Sequence, residues 1–97
     1  MKAKFLLAAK HELEDAVRAY NTQLKGLGDD FRDEAFETVT RIKEFPSAWA
    51  LLGGNIRRCQ MRHFPYGIVY EIFGDEIVII AVAHLHRRPE YWKMRAI

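Results

Sequence analysis

The stretch YGIVYEIFGDEIVIIAVA, residues 66–83, decides the fold. Its first arm, Tyr66 to Phe73, and its second, Glu76 to Ala83, both read as strands, and the second is apolar on both faces. Gly74-Asp75 between them is a two-residue hairpin turn, with glycine where positive φ is needed. Pairing across that turn sets Ile72 opposite Ile77, Tyr70 opposite Ile79 and Ile68 opposite Ala81. A strand apolar on both faces belongs in the interior of a sheet, with other elements covering it.

Working toward the N-terminus, Ile56 to Met61 reads as a third strand with an extension to His63. Arg58, Gln60 and Arg62 point one way along it, and Arg57, Cys59, Met61 and His63 the other. With Cys59 and Met61 in the core, the first set lines the sheet face that helices leave open. Arginines there suit phosphate or carboxylate contacts, or simply keep an exposed sheet soluble. The segment from Pro46 to Gly54 reads as irregular. Before it the apolar period is 3.6: Phe31, Ala35, Thr38, Val39, Ile42 and Phe45 form one helical stripe, stopped by Pro46. Asp29 and Asp30 open this helix, where negative charge meets exposed N–H groups. An earlier helix spans Lys10 to Lys25 with the stripe Leu13, Ala16, Val17, Tyr20 and Leu24, and Gly26-Leu27-Gly28 ends it. The two helices form an αα-hairpin. Lys2 to Leu7 reads as a first strand. The order strand, αα-hairpin, three-stranded antiparallel meander is an α+β layer pair with both helices on one face of the sheet.

At 97 residues the chain has room for one domain, 1–97, around one core. Hydrophobic residues at 49% and charged residues at 29% exclude a disordered chain. The longest apolar run, Ile77 to Ala83, is far short of the roughly 20 residues of a membrane helix. The N-terminal residues lack the extended apolar stretch of a secretory signal, so the expected location is the cytoplasm. A lone cysteine, Cys59, excludes an internal disulfide and a cysteine-based zinc cage. The net charge of +2 is divided unevenly. Residues 1–54 carry eight Lys/Arg against nine Asp/Glu, whereas residues 55–97 carry seven against four. This split points to a basic face for an acidic partner or a phosphate backbone, against the plainer reading of solvated charge.

The basic residues concentrate in His84-Leu85-His86-Arg87-Arg88-Pro89-Glu90-Tyr91-Trp92-Lys93-Met94-Arg95. His84 and His86, two apart, share a strand face, but no cysteine or acidic cluster completes a metal site, and none is expected. Histidine beside arginine also fits acid–base cleavage of RNA. Arg87 or Arg88 would be the cation, and His84, His86 or Tyr91 the acid or base. Tyr91 and Trp92 either stack on a base or anchor the tail to the core. Phe36 lies off the apolar stripe of its helix. With Leu13, Val17 and Tyr20 nearby, it is the candidate for a partner-binding surface that takes an amphipathic segment.

Four features in order resemble the RelE/ParE toxin superfamily, and more narrowly the ParE-type plasmid-stabilisation toxins. They are Glu12-Leu13-Glu14-Asp15-Ala16 with Tyr20, then Leu27-Gly28-Asp29-Asp30-Phe31, then Ile42 to Pro46, and lastly Arg57-Arg58 through Phe64-Pro65-Tyr66-Gly67-Ile68-Val69-Tyr70. The most specific part is the ending Ala81-Val82-Ala83-His84-Leu85-His86-Arg87-Arg88-Pro89-Glu90-Tyr91-Trp92. The resemblance implies a toxin neutralised by a ribbon-helix-helix, ParD-like antitoxin in a hetero-oligomer, which can meet operator DNA through that antitoxin. ParE-type members poison DNA gyrase; RelE-type members cut messenger RNA on the ribosome.

As a nuclease the chain would use Arg58, Arg62, Arg87 and Tyr91. Yet Gln60 replaces one of the alternating cations, and Gly67 stands where an arginine normally follows the tyrosine. The loss of cations weakens transition-state stabilisation, so the resemblance favours a gyrase poison without catalytic residues or cofactor. An RNA endonuclease and an inactive binding module of the same fold remain the alternatives. The expected target-binding residues are Arg58, Arg62, His84, His86, Arg87, Arg88 and Trp92. Those expected to meet the antitoxin are Leu13, Val17, Tyr20 and Phe36.

Overall fold

A computed structural model describes residues 1–96. The chain runs through β1 (Lys2–Phe5), α1 (Leu7–Gln23), α2 (Leu27–Glu44), β2 (Ala50–Gly53), β3 (Ile56–Gln60), β4 (Tyr66–Phe73) and β5 (Glu76–His84), and ends in a 3-10 helix, Tyr91–Arg95. One five-stranded sheet has the order β1-β5-β4-β3-β2, with β1 parallel to β5 and the other pairs antiparallel. The α+β arrangement is as expected, with three differences of detail.

The first strand stops at Phe5, and Leu7 already opens α1, because Ala8 and Ala9 favour helix and Ala9 is wholly buried. The segment read as irregular holds β2, which pairs with β3 and makes the meander four-stranded. The hairpin register slips beyond Tyr70. Ile72 faces Ile77 and Tyr70 faces Ile79 as expected, but Ile68 faces Val82, not Ala81. A bulge at Ile80 causes the slip, so Ile80 and Ala81 pack into the same cluster on one side of the sheet.

Both faces of the sheet are packed. On one face Leu13, Ala16, Val17, Phe31, Ala35, Val39 and Ile42 of the helices meet Cys59, Met61, Ile68, Tyr70, Ile77, Ile79 and Val82. On the other face Val69, Val78, Ile80, Ala81 and Ala83 form a second cluster, capped by Trp92 of the 3-10 helix. The sheet face expected to stand open is therefore partly covered. The helical hairpin is held by Asn21, whose Oδ1 accepts the backbone N–H groups of Gly26 and Gly28 at 3.1 and 2.8 Å. A Cβ on Gly28 would lie 2.0 Å from the Val17 carbonyl oxygen, so only glycine lets the helices approach this closely. Among the described residues no helix is long and apolar enough to cross a membrane.

Candidate functional site

The basic residues gather at the end of the sheet where β4 begins and β5 ends. Tyr66 and His84 are cross-strand partners, their rings 5.1 Å apart. The loop that follows is fixed at its start, where Leu85 N–H donates to the Pro65 carbonyl at 2.8 Å and His86 N–H donates to His84 Nδ1 at 3.1 Å. The second bond makes Nδ1 an acceptor, so a neutral His84 carries its proton on Nε2. Burial and the neighbouring charges of Arg87 and His86 hold the His84 pKa below its ordinary value. Arg88 and Glu90 both take positive φ, 38° and 65°, each at a cost on the order of 1 kcal/mol. Such a loop persists only when its ends are held.

The far end is held twice. Trp92 is 6% exposed and packs in the second cluster. Glu12 of α1 accepts three hydrogen bonds: from Val82 N–H at 3.0 Å, Tyr91 O–H at 2.6 Å and Arg95 at 2.9 Å. Arg95 also donates to the Ile80 carbonyl at 3.0 Å. β1 pairs with β5 only as far as Ile79, so Glu12 and Arg95 satisfy edge groups that β1 leaves unpaired. Burial, and then the bond to Glu12, push the Tyr91 hydroxyl pKa up.

Of the residues expected to bind a target, Arg58, His84, Arg87 and Arg88 line one cleft, and His86 is exposed beside it with its ring 5.8 Å from that of His84. Trp92 lines the same cleft and is largely buried there. Arg62 lines a second depression, with Arg41, Trp49 and again Arg58. The residues a nuclease would use are likewise divided. Arg58 and Arg87 share the first cleft, and Arg87 also lines a neighbouring one with Tyr91, whose hydroxyl donates to Glu12. Arg58 also lines the depression that holds Arg62, so no single cleft holds all four.

A second feature is an apolar groove between the helices and β1. Phe5, Leu13, Val17 and Phe36 line it, with Lys10, Glu14 and Arg32 at its rim. Phe36 is 48% exposed and meets Phe5 edge-on at 6.1 Å. Tyr20 is not part of this groove. Its ring stacks on Phe31 at 5.3 Å and meets Phe64 at 5.0 Å, inside an aromatic cluster. Phe5 and Glu12 were missed in the sequence. Glu12 carried one signal, a carboxylate flanked on its helix face by Ala9 and Ala16 of the buried stripe.

The profile described as ParE toxin of type II toxin-antitoxin system, parDE, matches residues 3–89. Among solved structures the chain is similar to one titled "Chromosomal ParDE TA system from P. aeruginosa", at 16% sequence identity and a TM-score of 0.79. The likeness covers 89% of this chain and 97% of that one, and at this identity it speaks for the fold. A search of curated proteins gives no match. The profile spans nearly the whole chain, including the basic loop and both helices. The chain belongs to the ParE toxin family of type II toxin–antitoxin systems.

Proposed function

We propose that this toxin arrests growth by inhibiting DNA gyrase, without cutting RNA, and that a ParD-like antitoxin neutralises it. The observation that carries this reading is the engagement of the Tyr91 hydroxyl by Glu12, with no single cleft gathering the whole nuclease set. The Tyr91 hydroxyl is engaged as a hydrogen-bond donor to Glu12, and Arg62 does not line the cleft that Arg58 and Arg87 share. RNA cleavage needs a base, a cation and an acid around one phosphate. The exposed Arg87 and Arg88, presented on a loop with both ends fixed, instead form a rigid contact surface for a larger target.

The antitoxin reading rests on the apolar groove. Its aromatic lining and mixed-charge rim fit an amphipathic helix, with the partner's apolar side on Phe5 and Phe36. Target and antitoxin surfaces are then separate, and neutralisation works by covering the toxin or holding it in a larger assembly, which reaches operator DNA through the antitoxin. Replacing Arg87 and Arg88 with Ala tests the reading. The double variant should lose growth inhibition and gyrase inhibition in a supercoiling assay, with antitoxin binding and melting temperature unchanged. A double variant that still stops supercoiling at wild-type concentrations overturns it.

A further inference from the structure

Arg58 raises a question that its charge alone does not answer. Its Nε is buried and has no hydrogen-bond partner among the described residues, an arrangement that protein interiors rarely tolerate. The side chain reaches this place by lying across Gly67 on the neighbouring strand. A Cβ on Gly67 would sit 2.7 Å from Arg58 Cδ and 2.8 Å from Cγ. Gly67 has no positive φ and lies inside β4, so no turn requires glycine there; its only service is space. The cleft beyond has a volume of about 150 Å³, and Arg58, His84, Arg87 and Arg88 all line it. The one carboxylate at its edge, Glu90, is paired with Lys93 at 3.1 Å.

We infer that this cleft is a phosphate-binding subsite, and that Gly67 determines it by admitting Arg58. The inference rests on the reading of the basic loop as target-binding, and adds that the toxin grips a phosphodiester of nucleic acid rather than a carboxylate. Donors from two separate segments, β3 and the loop after β5, line the cleft. A tetrahedral oxyanion presents oxygens in several directions and accepts from all of them, whereas a planar carboxylate is satisfied by one guanidinium fork. An anion that engages the guanidinium edge-on also gives the orphaned Nε–H its acceptor.

The test uses the purified full chain in NMR titrations with inorganic phosphate, a dinucleoside monophosphate and acetate, all at matched ionic strength. Both phosphates should cause saturable shifts at the Arg58 Nε–H and the backbone amides of 84–88, and acetate should not. Arg58→Gln and Gly67→Ala should each weaken phosphate binding by about tenfold or more, the loss of one charge-assisted contact. Gly67→Ala should keep the melting temperature, because alanine suits a strand better than glycine does. Saturation by inorganic phosphate alone marks a free-anion site and overturns the nucleic-acid assignment. Equal binding of acetate, an absence of saturation, or wild-type phosphate binding by Gly67→Ala overturns the inference. Growth inhibition is read separately. A Gly67→Ala protein that loses phosphate but still arrests growth leaves the subsite standing and overturns the target-binding reading of the cleft.

Discussion

Replacing Glu12 with Ala removes a carboxylate that ties α1 to the β5 edge and to the C-terminal 3-10 helix. Its partners are Val82 N–H at 3.0 Å, the Tyr91 hydroxyl at 2.6 Å and Arg95 at 2.9 Å. A hydrogen bond to a charged group contributes about 1.5–3 kcal/mol, and a buried donor left without an acceptor costs about 1–3 kcal/mol. The three do not add fully. The Arg95 side chain is 25% exposed and can be rehydrated, whereas Val82 N–H lies on a buried strand and loses its Glu12 acceptor. A net loss of about 3 kcal/mol follows, a large fraction of the roughly 5–10 kcal/mol expected for a domain this size. The corresponding fall in Tm is roughly 10 °C or more. Tyr91→Phe, which removes one donor and leaves Glu12 the other two, should cost about 1 kcal/mol. Urea unfolding followed by circular dichroism measures both, and amide exchange at Val82 reports whether the edge opens. A Glu12→Ala protein within about 0.5 kcal/mol of wild type, the range of an ordinary surface substitution, refutes the tether.

Phe36→Ala should weaken antitoxin binding by at least about tenfold, as loss of an aromatic anchor does, while urea unfolding shifts by less than about 1 kcal/mol because the ring is already half exposed. Gly28→Ala should cost about 3 kcal/mol by forcing the helices apart at the Val17 carbonyl, whereas Gly26→Ala, at φ 92° in open space, should cost about 1 kcal/mol; urea midpoints compare them. The His84 ring should titrate below the ordinary histidine value because of burial, then Arg87 and His86, and Arg87→Ala should bring it back up in an NMR titration. Since the folded state then binds fewer protons than the unfolded one, this residue's contribution is present above the unfolded pKa. It is lost as pH falls from about 6.5 toward the depressed folded value.

The β4–β5 hairpin was legible because Gly74-Asp75 fixes the turn and every nearby residue follows from it. The bulge at Ile80 was not, because an unbroken apolar run has no alternation to reveal a shifted face. β2 was hidden for a different reason. Ala50-Leu51-Leu52 is short, lies between Pro46 and two glycines, and becomes a strand only by pairing with β3. At the site, the gathering of His84, Arg87 and Arg88 was visible as a local concentration of charge. Glu12 was not linked to it, because its partners lie 70 to 83 residues away in sequence. Gly67 read as a cation lost from the family pattern, and only the packing of the Arg58 stem across it shows the space it leaves.

The central claim, a basic loop that acts on gyrase without cleaving RNA, is tested most directly by inducing the toxin without its antitoxin and mapping RNA 5′ ends while plasmid supercoiling is followed in the same cells. The account predicts relaxed or cleaved plasmid and an unchanged 5′-end map, with both signals at the uninduced level for the Arg87→Ala, Arg88→Ala protein. New 5′ ends at fixed codon positions, with supercoiling intact, would contradict it.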